Sequence, residues 1–379
     1  MKSSIRRDIT VKRTPRFMQI CGKFDLSTNA TSVQEWETDI KLPAEWSVGV
    51  IVGPSMAGKS TIAAELFTGE LVNQGDWAWP TDMCIADGFA EGMSIDDITG
   101  LLSRVGFSSP PDWKKPYHAL SNGGKFRVDL ARTLAERPAR AVIDEFGSIV
   151  HAQARQVAAA AAASAVRRRG GQLVALCVHP DAVPYFEPDW VIDITPGQRV
   201  LCEHTRGRLR RPDIGLEIVR VHRKAWALFA PHHYLAHSIH NNAACFIGLI
   251  AGEPATFTAV MHAPTSKGLS YREHRTVCLP TFQGIGLGNA TSEYVASLYR
   301  ATGVPYYSST SHPAFIRHRA KSKLWAMIRK PGLTSGSKGF KDAEKYKRAT
   351  ASSRITAGFR YVGPARPEEA AAFGIIPVA

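Results

Sequence analysis

Gly53-Pro54-Ser55-Met56-Ala57-Gly58-Lys59-Ser60, followed by Thr61, fits the spacing G-x-x-x-x-G-K-[ST]. These residue types bind a nucleotide's phosphates. The glycines let backbone N–H groups turn inward, the lysine offers a cation to the β- and γ-phosphates, and the serine hydroxyl can ligate Mg²⁺. The carboxylates Asp144 and Glu145 complete that constellation, Asp144 to hold the ion and Glu145 to orient or deprotonate an attacking water. A second glycine-rich run, Leu279-Pro280-Thr281-Phe282-Gln283-Gly284-Ile285-Gly286-Leu287-Gly288-Asn289, has a different grammar. Both kinds of loop cradle pyrophosphate, so a chain carrying both implies that nucleotide hydrolysis drives or gates a second chemistry.

The surrounding pattern supplies what these loops need. Trp46 to Val52 reads as a buried strand feeding the first loop, and Lys59 to Thr68 has helical spacing, so helix-terminal N–H groups converge on phosphate. Arg140 to Glu145 is a second buried strand. Ala152 to Arg169 is a helix by propensity, closed by Gly170-Gly171, and Gln172 to Val178 is a third strand ending at His179. This βαβ series predicts an α/β domain with a mainly parallel sheet. Short strands are expected at Arg16–Cys21 and Glu37–Leu42. After the breaker-rich Arg206–Pro212 the pattern changes. Ala243–Ala251 and Pro254–Met261 read as a hairpin, Arg275–Leu279 and Val304–Ser309 as strands, and Asn289–Ala301 as a helix. The expected domains are 1–205, 206–330 and a basic extension over 331–379.

No apolar run approaches the roughly 20 residues that span a bilayer, and the basic N-terminus has no apolar stretch behind it, so no membrane segment or secretory signal is expected. The six cysteines are scattered without a C-x-x-C pair, which predicts reduced thiols and a cytoplasmic setting. Net charge is +14, and its placement is uneven: residues 206–379 hold 25 Lys and Arg against 9 Asp and Glu. A surplus confined to one half points to an anionic partner, nucleic acid above all.

Leu120-Ser121-Asn122-Gly123-Gly124-Lys125, followed by Phe126-Arg127-Val128-Asp129-Leu130-Ala131-Arg132, resembles the signature motif of ATP-binding-cassette (ABC) ATPases. It precedes Asp144-Glu145, as in that family, and His179 sits where the family's switch histidine follows the next strand. The resemblance covers about residues 10–200. It implies an ATP and Mg²⁺ site with Ser60 and Asp144 on the ion and Glu145 and His179 in catalysis. It also implies an ATP-dependent homodimer in which Leu120, Ser121, Asn122, Gly123 and Gly124 of one copy complete the site of the other. Asn122 and Lys125 depart from the family's glycine and glutamine, and Asp87 stands about where its Q-loop glutamine would be.

The second loop resembles the acetyl-CoA motif Q/R-x-x-G-x-G/A of GNAT acyltransferases over about residues 215–330. That fold would be α+β. The resemblance implies that Leu279, Gln283, Gly284, Ile285, Gly286, Leu287, Gly288 and Asn289 hold acetyl-CoA or a related acyl-CoA. Glu273, His274, Tyr307, Ser311 and His312 are then candidates for acyl transfer, which needs a base for the acceptor and a donor for the leaving thiolate. Arg317, Arg319, Lys321 and Lys323 are the first candidates for a nucleic-acid track, and Tyr299, Tyr306, Tyr307, Phe315 and Trp325 could stack on a base. The expected function is ATP-dependent acylation of a nucleic-acid base, DNA or RNA. The alternatives are an acyltransferase acting on a protein amine or small molecule, and an ABC-type nucleic-acid-binding ATPase with a degenerate GNAT fold.

Overall fold

A computed structural model describes residues 4–73, 75–195, 197–233, 237–263, 268–333 and 355–376. The chain divides into two compact units, Met1–Trp77 with Thr133–Pro212, and Ala78–Arg132 with Asp213–Ala379.

In the first unit, the described residues form an eight-stranded sheet. Its strands are β1 (Ser4–Thr10), β2 (Thr31–Asp39), β3 (Val48–Val52), β4 (Leu71–Val72), β5 (Arg140–Ile143), β6 (Gln172–Cys177), β7 (Trp190–Asp193) and β8 (Val200–His204). The order is β1-β2-β8-β7-β3-β6-β5-β4, and the run β7-β3-β6-β5-β4 is parallel throughout. β3 is buried along its whole length, as a central strand covered on both faces must be. Gly49 leaves room for Trp190, whose ring would lie 2.0 Å from an added Cβ. The helix Ala152–Arg169 spans the predicted residues and ends on Gly170 at φ 73°, the left-handed cap that glycine adopts without penalty.

One expectation fails here. Arg16–Cys21 is not a strand but part of the helix Pro15–Phe24. Thr14 caps it by accepting from the Phe17 N–H at 3.2 Å, and Pro15 occupies its first turn. That start signal outweighs the short apolar alternation behind the strand reading.

In the second unit, the segment from Ala78 carries the helix Ile95–Arg104 and, up to Arg132, the helix Asn122–Glu136. Its sheet contains β9 (Glu217–Val221), β10 (Ala244–Ile250), β11 (Glu253–His262), β12 (Tyr271–Cys278), β13 (Tyr306–Thr310), β14 (Trp325–Leu333) and β15 (Ile355–Tyr361), in the order β14-β15-β13-β12-β11-β10-β9. β10 and β11 form the predicted hairpin, turned by Ala251 and Gly252 at φ 49° and 81°. β15, from within 331–379, lies between β13 and β14, so residues of that stretch complete the sheet.

All neighbouring strands are antiparallel except β12 and β13, which run parallel and are joined through the helix Leu287–Arg300. They pair only at Tyr271–Tyr306 and Arg272–Tyr307, so their later residues part. On its other side β12 is bulged: Ala259 faces Arg275 and Val260 faces Glu273, leaving His274 as the extra residue. Splay and bulge both re-aim the end of β12, which feeds the second glycine-rich loop. Among the described residues no helix is long and apolar enough to cross a membrane, and all six cysteines are free thiols.

Candidate functional site

In the first unit, the loop Gly53–Gly58 joins β3 to the helix Lys59–Leu66. Gly58, at φ 100°, caps that helix, and an added Cβ there would fall 2.3 Å from the Trp36 ring. The same indole donates from Nε1 to the Ala57 carbonyl at 2.9 Å, so β2 holds the loop in shape. Lys59 is buried and its ammonium donates to the carbonyls of Gly53 at 3.0 Å and Pro54 at 2.8 Å. Burial lowers its pKa, opposed by the negative charge of Asp144 and Glu145. Met56, at φ 65°, is 92% exposed at the loop's tip, and Thr61 accepts from the Arg7 guanidinium at 3.2 Å.

Ser60 Oγ donates to Asp144 Oδ2 at 2.5 Å. These two oxygen ligands, from a helix start and a strand end, are an all-oxygen donor set that suits Mg²⁺. Glu145 follows in an exposed turn at φ 49°. A non-glycine residue there costs of order 1–3 kcal/mol, which structures retain where the strain serves a site. Asp144 Oδ1 accepts from the Glu145 N–H at 2.8 Å and steadies the turn. His179 is exposed just beyond β6. Arg155 ties the two loops together: it donates to the carbonyls of Gly147 at 3.5 Å and Val150 at 3.2 Å, and to both Asp181 oxygens at 3.0 Å. Neither Trp36 nor Arg155 belongs to a short motif, which is why spacing misses both.

In the second unit, Ser121 stands at the start of the helix Asn122–Glu136 and accepts from the Gly124 N–H at 3.2 Å. Leu120 is buried beneath it, whereas Ser121 and Asn122 are exposed. This is an N-terminus whose dipole and amides favour phosphate. Asp87 caps its own short turn by accepting from the Cys84 N–H at 3.1 Å.

The second glycine-rich loop also leads into a helix N-terminus. Gly284 and Gly286 lie at φ 99° and 89°, and Gly286 caps the helix Leu287–Arg300 without a side-chain bond. Among the described residues, no heavy atom beyond its chain neighbours lies within 4 Å of a Cβ added at Gly286, whereas one at Gly288 would meet the Phe315 ring at 3.3 Å. Leu287 is buried, Ile285 half-buried, and among the described residues the buried Oδ1 of Asn289 has no hydrogen-bond partner. Gln283 is 7% exposed and fully engaged: its Oε1 accepts from Ser108 N and Oγ at 2.8 and 2.9 Å, and its Nε2 donates to the Cys278 carbonyl at 2.8 Å. The Gln283 side chain is therefore spent on holding the loop in shape. Leu279, half-buried, starts the turn by accepting from the Phe282 N–H at 2.9 Å.

Three acyl-transfer candidates have their polar atoms engaged elsewhere. Glu273 is buried, with Arg319 Nη1 at 2.9 Å and Nη2 at 3.1 Å, Ser292 Oγ at 2.8 Å and a further bond from Thr276. Burial would raise its pKa, but Arg319 and the hydrogen bonds outweigh that and hold it below the usual carboxylate range. His274 accepts the His240 N–H at Nε2, 3.1 Å away, and burial with the nearby Arg275 pushes its pKa down to about 4. His312 caps the helix Pro313–Lys321: Nδ1 accepts from Ala314 N at 3.2 Å and Nε2 donates to the Ser108 carbonyl at 2.8 Å. Burial lowers its pKa. Tyr307 and Ser311 are half-buried, Tyr307 in β13 where the strands begin to part.

The basic quartet divides in the same way. Lys321 and Lys323 are exposed. Arg317 turns towards the helix Ile95–Arg104, 3.5 Å from a Cβ added at Gly100. Arg319 is 1% exposed, spent on Glu273, Ser308 and Ser292 and covered by Phe315 and Trp325. It cannot be part of an exposed track. Tyr299, Tyr306 and Trp325 are core residues as well, so they offer no face to a base.

No family model matches this chain, and no curated protein matches it. Among solved structures, CbiO1 from Clostridium perfringens, part of the ABC transporter complex CbiONQ, is similar over 42% of this chain and 78% of that one, with 19% identity and a TM-score of 0.36. A bacterial Atm1-family ABC exporter with ATP bound is similar over 48% of this chain and 36% of that one, with 21% identity and a TM-score of 0.33. Neither likeness decides an activity.

Proposed function

We propose that the first unit is an ATPase of the ABC type and that the second carries a GNAT-like domain that takes an acyl-CoA donor and modifies a nucleic-acid base. The observation that carries the ATPase reading is the convergence of Lys59, Ser60 and Asp144 at the end of parallel strands, with Ser60 and Asp144 2.5 Å apart. Mg²⁺, held by those oxygens, would neutralise charge on the β- and γ-phosphates. Lys59 would exchange its loop carbonyls for phosphate oxygens, and Glu145 would orient the attacking water from its strained turn. Ser121 and Asn122 suit the role of a second copy's contribution, because they stand exposed at a helix start.

The acyl-donor reading is supported by sheet topology. The features that support it are a parallel pair that parts after two residues, a bulge in β12, and a glycine-capped helix with open space beside Gly286. The acceptor reading rests on the charge surplus, with Arg317, Lys321 and Lys323 the exposed members of the quartet. One observation favours the reading with a degenerate GNAT fold: Glu273, His274 and His312 are all engaged structurally. Three measurements test the proposal. ATP hydrolysis should vanish in Lys59→Ala, acetyl-CoA should bind by calorimetry, and nucleosides from cells with and without the gene should differ by an acyl mass. Donor binding with no such mass difference would favour the degenerate fold.

A further inference from the structure

Arg127 lies in the helix that begins beside Ser121, flanked by the buried Phe126 and Val128 and itself 4% exposed. Its guanidinium donates to the carbonyls of Gly106 at 2.7 Å, Thr281 at 2.7 Å and Pro280. Among the described residues its hydrogen-bond partners are all backbone carbonyls. Burial lowers its pKa to about 10, which still leaves it a cation at neutral pH. One charge thus grips two segments, the turn after the helix Ile95–Arg104 and the start of the second glycine-rich loop. Ser108 adds a strap through Gln283, and His312 fastens to the Ser108 carbonyl. Gly106 lies close against the loop backbone, since a Cβ there would sit 2.5 Å from the Gln283 carbonyl oxygen. A planar fork reaching several carbonyls at once is a geometry arginine supplies and lysine does not.

We propose that Arg127 couples the helix behind Ser121–Gly124 to the loop 279–289, so that nucleotide phosphate at the first and an acyl donor at the second alter each other's binding. This rests on the ATP and acyl-donor readings above. The physical basis is that a ligand shifting the helix start by a fraction of an ångström displaces the guanidinium of a residue only 4% exposed, and the loop carbonyls bonded to it follow. By linkage the effect is reciprocal.

The test is hydrogen exchange on the full-length Glu145→Gln protein with and without Mg-ATP, read over residues 279–289, a readout that needs no donor. ATP should change protection there roughly 5- to 150-fold, and Arg127→Lys and Arg127→Gln should bring the ratio close to one while ATP affinity is retained. An unchanged loop in the Arg127-containing protein overturns the inference, and so does a response that survives either substitution. The first arm decides even where a substituted chain fails to fold. Acetyl-CoA titrated into the same samples separates the two claims. No donor binding sinks the acyl-donor reading and the reciprocal effect on a donor, leaving only the coupling from ATP to the loop, whereas no ATP binding sinks the coupling altogether.

Discussion

Replacing Glu273 by glutamine distinguishes a structural carboxylate from a catalytic one. The carboxylate and Arg319 form a two-point ion pair at 2.9 and 3.1 Å with both side chains buried. Removing one partner from such a pair costs about 3–5 kcal/mol, because the other charge stays buried without compensation. The amide oxygen of glutamine can still accept from Thr276 and Ser292, which places the expected cost near 3 kcal/mol, or roughly a 100-fold rise in the opening equilibrium. With two units in the chain, a single unfolding midpoint mixes their stabilities, so the assay is native-state hydrogen exchange over β12 and β13. The double replacement Glu273→Leu with Arg319→Met should recover most of the loss. The pH dependence follows from the lowered pKa of Glu273. Its stabilisation is complete above the unfolded value of about 4.3 and is lost as pH falls through the lower folded value. Unchanged protection in Glu273→Gln, or a double variant as damaged as the single, would refute this reasoning.

Arg155→Leu should leave ATP binding within a few-fold but slow hydrolysis at least 10-fold, since it frees the turn after Glu145 from Asp181; a wild-type rate in steady-state assays contradicts the tether. Gly286→Val should abolish acetyl-CoA binding measured by calorimetry while the chain stays folded, because a β-branched residue at φ 89° must move the loop; unchanged affinity would show that the loop does not hold the donor. Replacing Lys321 and Lys323 with glutamine should lower the salt slope of nucleic-acid binding by about 1–2 and leave basal ATP hydrolysis intact; an unaltered slope in filter binding places the track elsewhere.

The parts of the fold visible in the sequence were those with strong local signals. The helix Ala152–Arg169 announces itself by propensity and a closing Gly170, and the hairpin at Gly252 by two apolar runs around a turn. Arg16–Cys21 misled because its capping Thr14-Pro15 lies outside the alternating run. Long-range partners were invisible. Nothing near Arg319 in the sequence says that Glu273 will neutralise it, so a cation on a basic helix read as a surface charge. Arg127 did leave a trace, a charge between the apolar Phe126 and Val128 on a helix that had to be buried, but two of its carbonyl partners, Pro280 and Thr281, lie more than 150 positions further on. The candidate residues that sequence spacing names and the structure brings together, Lys59, Ser60 and Asp144, are those whose proposed chemistry demands fixed spacing along the chain or a fixed place at a strand end.

The measurement that bears most directly on the account is ATP binding and turnover by the Glu145→Gln protein. If Glu145 orients the attacking water while Lys59, Ser60 and Asp144 hold the nucleotide, this variant binds Mg-ATP, hydrolyses it at least 100-fold more slowly than wild type, and accumulates as an ATP-bound dimer in size-exclusion chromatography with light scattering. Hydrolysis at the wild-type rate would contradict it.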